Sequence, residues 1–139
     1  MNKTLFYTIS LAIILAGCQK PKDHVELSGK ITNPNSDKIT ISNPDNGYKK
    51  EIAVNEDGSF SDTLKVEEGR YRFYDGNEVG VVFLKNGNST SFTLDTKEFD
   101  ETLKFKGDDA DKSNVLIAYA LLQEKHLSND LFDKNPKAF

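Results

Sequence analysis

From Val25 to about Lys106, apolar residues recur at every second position, and turn residues interrupt them every eight to twelve positions. That period predicts strands with one buried face. Val25, Leu27, Gly29 and Ile31 alternate with Glu26, Ser28 and Lys30, and Ile39 and Ile41 alternate with Lys38, Thr40 and Ser42. Tyr48, Ile52 and Val54 share the next face. Asp57-Gly58 then marks a tight reversal, because both residues tolerate positive φ. Phe60, Leu64 and Val66 mark the return strand, followed by Tyr71 and Phe73, then by Phe92 and Leu94. Phe99, Leu103 and Phe105 complete the β pattern. Val79 to Leu84 is nearly continuous in apolar residues, which predicts a central strand covered on both faces.

At Gly107 the period changes. Asp108 to Ser113 is polar and acidic, and Val115 to Leu122 is apolar and rich in helix formers. Val115, Ile117, Ala118, Leu121, Leu122 and Lys125 fit one broad helical face, with Asp109, Asp111 or Ser113 as the residue capping its N-terminus. Asn135-Pro136 breaks any helix there. The pattern predicts an all-β domain, an antiparallel β-sandwich of about seven to nine short strands, with a C-terminal α-helix packed at one end or edge.

The first residues follow a different rule. A lysine at position 3 precedes an apolar run from Leu5 to Ala16, which ends at Leu15-Ala16-Gly17-Cys18. A positive start, a short apolar stretch and small residues before a cut are the parts of a secretory signal. The run is too short to span a bilayer, which needs roughly 20 apolar residues. Leu-Ala-Gly-Cys resembles the lipobox of bacterial lipoproteins. That resemblance implies cleavage before Cys18, lipid on its thiol, and a cell-envelope location at a membrane, most simply the outer membrane on its periplasmic or surface face. Two or three acyl chains anchor firmly, since each buried CH₂ contributes about 0.8 kcal/mol. The chain therefore divides into a signal peptide (1–17), a lipidated tether (18–24), a β-sandwich domain (25–107) and a helical connector (108–139). Gln19 to Asp23 also faintly resembles the charged segment that sends some Bacteroidota lipoproteins to the cell surface.

Composition narrows the picture further. Cys18 is the only cysteine, so an exported domain of this size must rest on packing without disulfides. The net charge is −4, with acids and lysines interspersed, and nothing points to nucleic-acid binding.

Several motifs in order carry a family resemblance. They are Leu27-Ser28-Gly29-Lys30-Ile31, Glu56-Asp57-Gly58-Ser59-Phe60, Phe83-Leu84-Lys85-Asn86-Gly87, then Phe105-Lys106-Gly107 and a polar step into a helix near Ser113-Asn114. Together they resemble the N-terminal domain, of uncharacterised function, of TlpA-like thiol-disulfide reductase lipoproteins of Bacteroidota, over about residues 25–125. In that family the β domain precedes a helical connector and a thioredoxin-like domain whose Cys-x-x-Cys does the redox chemistry. This sequence has no Cys-x-x-Cys, so the family's catalytic residues have no positions here. The resemblance implies a non-catalytic spacer or partner-binding module, tethered to a membrane through Cys18 and serving an envelope protein partner or an appended thioredoxin-like domain. The competing reading is an independent envelope lipoprotein that binds a glycan or a protein.

No residue pattern suggests an enzyme, a cofactor or a metal. His24 and His126 are far apart and lack ligand spacing. Asp108 to Ser113 spaces its oxygens like the start of a calcium loop, but Asn114 and Ala120 stand where that loop needs Gly and an acid. No Gly-x-Ser-x-Gly elbow or phosphate loop is present. Tyr48, Tyr71, Phe73 and Tyr74 either fill a core or form an aromatic sugar-binding strip. Asp62-Thr63-Leu64 resembles the short Asp-Thr-aliphatic acceptor of O-glycans in Bacteroidota, which makes Thr63 a candidate glycosylation site.

Overall fold

In a computed structural model the described residues are 22–132, with side-chain surroundings described through His126. Cys18, the expected signal peptide (1–17) and the expected Asn135-Pro136 helix break lie outside them. Period-two alternation produces eight strands: β1 (Val25–Thr32), β2 (Lys38–Asn43), β3 (Tyr48–Ala53), β4 (Ser59–Leu64), β5 (Gly69–Tyr74), β6 (Val79–Leu84), β7 (Ser89–Asp95) and β8 (Lys104–Gly107). A 3₁₀ turn (Thr96–Glu98) and a one-turn helix α1 (Phe99–Thr102) precede β8, and α2 (Ala110–Phe132) follows it.

The strands form two four-stranded sheets, β4-β1-β7-β8 and β3-β2-β5-β6. All pairs are antiparallel except one. β1 and β7 run parallel, with Glu26 opposite Ser89 and Thr32 opposite Asp95. The expectation of a wholly antiparallel sandwich is corrected at this pair. The chain leaves β1 for the opposite sheet, returns at β4 on one side of β1, crosses again through β5 and β6, and comes back at β7 on the other side, so no hairpin forces β1 and β7 to oppose.

Inward positions of both sheets meet in one core, centred on Leu27, Ile41, Tyr71, Phe73, Val82 and Phe92. Two glycines shape it. A methyl on Gly29 would lie 2.1 Å from the carbonyl oxygen of Phe92 and 2.7 Å from the ring of Phe60, the residue paired with Gly29 across the sheet. A methyl on Gly80 would lie 2.1 Å from the ring of Phe73, its own cross-strand partner. Each sheet thus lays one Phe over a glycine. The two rings meet Phe92 at 4.8 and 4.7 Å, within the range of favourable aromatic contact.

Three further expectations need correction. β6 is an edge strand, not a central one. Its Gly80, Val82 and Leu84 point into the core, while Val81 and Phe83 are half-covered and Val79 is exposed. The second cover implied by its apolar run comes from α2, since Val79 and Val81 share a crevice with Leu116, Ile117 and Ala120. Phe99 belongs to α1 rather than to a strand, although it is buried with Leu103 and Phe105 as the pattern required. The predicted helical face is also split. Leu116, Ile117, Ala120 and Leu121 lean toward the sandwich or its rim, while Val115, Tyr119 and Leu122 are exposed.

Candidate functional site

A sandwich of two open sheets has two seams where edge strands expose unpaired N–H and C=O groups. At one seam β3 and β4 are bridged by Lys50, which sits 2.9 Å from Asp62 and donates to the carbonyl oxygen of Thr63 at 2.8 Å. At the other seam lie β6 and β8, and the first turns of α2 close it. The Ser113 hydroxyl oxygen accepts from the Phe83 N–H at 3.0 Å on the β6 edge. The Asn114 side chain accepts from the Phe105 N–H at 3.0 Å and donates to its carbonyl at 3.1 Å, pairing with the β8 edge as another strand's peptide would. Consecutive side chains therefore plug the edges of both sheets, and Ser113 is fully buried in doing so.

This arrangement removes Ser113 from the three capping candidates, while Asp109 directly precedes α2 and its carbonyl oxygen accepts from the Lys112 N–H. Ser113 serves β6 rather than the helix end. The Asp109 carboxylate accepts from Asn88 at 2.7 Å and pairs with Lys112 at 2.8 Å. The Lys112 hydrogen bond, with Asn88 and Lys85 adding to it, holds the Asp109 carboxyl below its ordinary range. Asp108 accepts from the Ser89 N–H. Two of the acids that resembled a calcium loop, Asp108 and Asp109, thus tie the entry to α2 to Ser89 and Asn88. Among the described residues no group of three or more His, Cys, Asp or Glu could hold a metal.

The end of the sandwich where the chain enters is densely tied. The Gly87 N–H donates to the His24 carbonyl, and the Asn86 side chain both accepts from Val66 N–H and donates to its carbonyl. The Tyr71 hydroxyl donates to the Glu67 carbonyl and accepts from the Glu67 N–H, the bracing known in β-sandwiches as a tyrosine corner. α2 starts at this same end, beside Phe83, and runs antiparallel to β6 until Ala120 lies near Val79. Its 23 residues span about 34 Å, whereas the eight-residue β1 spans about 26 Å. The helix therefore leaves the sandwich at the end opposite to the one where the chain enters.

The remaining candidates scatter. Tyr71 and Phe73 are buried, Tyr48 packs edge-on against Tyr71 at 5.4 Å, and Tyr74 lies exposed on the other face of β5, so these four residues form no binding strip. His24 sits beside Asp23, and His126 is exposed on α2, far from it along the fold. Thr63 is exposed on β4, at the edge of its sheet. No helix among the described residues is long and apolar enough to cross a membrane. Arg70 and Arg72, the chain's two arginines, stand two positions apart on the outer face of β5 beside a groove of about 270 Å³. Their rarity and i, i+2 spacing were the available signal.

What the fold defines is a class: a mostly β, two-sheet sandwich module with one C-terminal helix. No protein-family description matches the sequence, and no curated protein does. Among solved structures, the chain is similar to a DUF3823 family protein from Parabacteroides merdae, with 19% identity and a TM-score of 0.39 over 53% of this chain. The match spans 46% of that protein's chain, less than half its length.

Proposed function

We propose that this chain is a lipid-anchored, non-catalytic envelope module in the manner of the N-terminal domain of TlpA-like thiol-disulfide reductases, acting as a spacer or docking platform. One observation carries the reading. The chain enters the sandwich at one end, through Lys22 to His24, and α2 leaves at the other after bonding to both sheets. With lipid on Cys18 the first end faces the membrane, and α2 directs whatever it carries away from it. The competing reading, an independent binding lipoprotein, draws its support from the arginine groove on the outer face. Exposed Thr63 on an edge strand is the proposed O-glycan acceptor, and peptides spanning it that carry no added hexose in the native protein would refute that assignment.

The test is the intact mass of the native protein extracted from its own membranes. A mass of residues 18–139 plus two or three acyl chains supports Cys18 as the anchor of a stand-alone module. A mass larger by roughly 100–150 residues places a further domain beyond α2 and supports the spacer role. An unacylated chain that retains residues 1–17 overturns the lipid anchor.

A further inference from the structure

We propose that the groove beside Arg70 and Arg72 binds a phosphate monoester group. Both arginines point outward from β5 and are exposed. Arg72 pairs in register with Ser42 of β2 and Val81 of β6, and Arg70 pairs with Phe83. Two positions along one strand set their Cα atoms roughly 7 Å apart. The Asn43-Pro44-Asp45 turn walls the groove on one side and Val81 on the other.

Neither arginine side chain has a hydrogen bond or ion pair among the described residues, whereas seven lysines sit in ion pairs; Lys49, Lys97, Lys104 and Lys106 share that freedom from ion pairing but lack the guanidinium fork. The nearest acids in sequence are engaged elsewhere, Glu68 with Lys85, Glu67 with Asn46 and Asp75 with Asn35. A guanidinium presents a planar fork of donors suited to oxyanions, and a single fork already fills a carboxylate. Two forks on one groove match a group with three terminal oxygens and close to two negative charges, which a phosphate monoester has near neutral pH. Asp45, at the rim, makes no ion pair among the described residues and opposes any anion in the groove. Arg70 lies toward the end where the chain enters, so a phosphorylated lipid headgroup and a soluble phosphate ester are both sources of this group.

Having two arginines makes the test direct, because a ¹⁵N spectrum of the full chain in nonionic detergent contains two Arg Nε–H resonances. Inorganic phosphate added at constant ionic strength is expected to move both together to saturation, with chloride leaving them in place. Arg72→Lys keeps the charge but loses the fork, and is expected to weaken binding about tenfold. Asp45→Asn is expected to tighten it. The amide spectrum of each variant reports that the fold is intact. Saturation by phosphatidic acid in the micelles assigns a lipid source, and saturation by glycerol 3-phosphate alone assigns a soluble one. Shifts that never saturate, that chloride reproduces, or that Arg72→Lys leaves unchanged overturn the site. None of these readouts depends on acylation of Cys18, so the site and the spacer reading stand or fall separately.

Discussion

Single atoms decide several outcomes in this fold. A methyl on Gly29 has no room to relax, since one of its neighbours is the Phe92 backbone, whereas one on Gly69 meets nothing within 4 Å. Gly29→Ala is expected to lower stability by about 2–3 kcal/mol in urea unfolding, in the range of overpacked cores, and Gly69→Ala to change it little. Two carboxyls predict opposite pH behaviour. The Glu78 carboxyl is held above its ordinary range, first by desolvation and then by Asp100, Asp75, Glu101 and Glu124. Its charged form is disfavoured on folding, so stability falls as pH rises from the unfolded carboxyl range through the folded value. Glu78→Gln should therefore stabilise at neutral pH, with the gain vanishing below about pH 4. The Asp109 carboxyl is held low by Lys112 and Asn88. Its contribution is present above the unfolded carboxyl range and lost as pH falls through the folded value, so Asp109→Asn should destabilise at neutral pH and converge with the native chain in acid. Acid titrations of both variants by circular dichroism check the two signs.

Strands were legible in the sequence because burial on one face writes itself as alternation. Val25, Leu27 and Ile31, or Phe92 and Leu94, read correctly as inward positions. Their neighbours across the sheet did not, since alternation says which face is buried but not which strand lies beside it. That is why the β1–β7 parallel pair and the edge position of β6 emerged only from the structure. Polar side chains that replace a missing strand were hidden for a similar reason. Ser113 and Asn114 look like ordinary helix-start residues, and their partners Phe83 and Phe105 lie 30 and 9 positions away. Removing them tests the seam. Asn114→Ala strands the Phe105 N–H and C=O and should cost about 1–2 kcal/mol, with Ser113→Ala costing about 1. Amide exchange at Phe105 and Phe83 should speed up in the respective variants, while exchange at Phe92 in the core follows only the global loss.

Across the whole molecule, the sandwich has a direction. Spin labels at positions 23 and 123, with Cys18 replaced, should lie about 20 Å apart or more, because 13 helical residues separate the start of α2 from the second label. A distance near 10 Å would place both labels at one end and remove the polarity on which the spacer reading depends. The arginine groove was visible in the sequence only as two rare residues at i, i+2. Its walls come from the β2–β3 turn and from β6, which no local pattern brings to β5.

The parallel register of β1 and β7 also decides how the domain bears a mechanical load. A pull between the tether and the far end of α2 acts along the strands and draws β1 past β7, whose ladder runs from Glu26–Ser89 to Thr32–Asp95. The bonds of that ladder lie across the pull and must yield together, whereas a hairpin pulled open at its end unzips one bond at a time. The same pull slides α2 along the edges it plugs instead of peeling it away. Under tension such a module behaves as a strut that resists and then fails abruptly, and it would keep its length under forces that would steadily unravel an end-loaded hairpin.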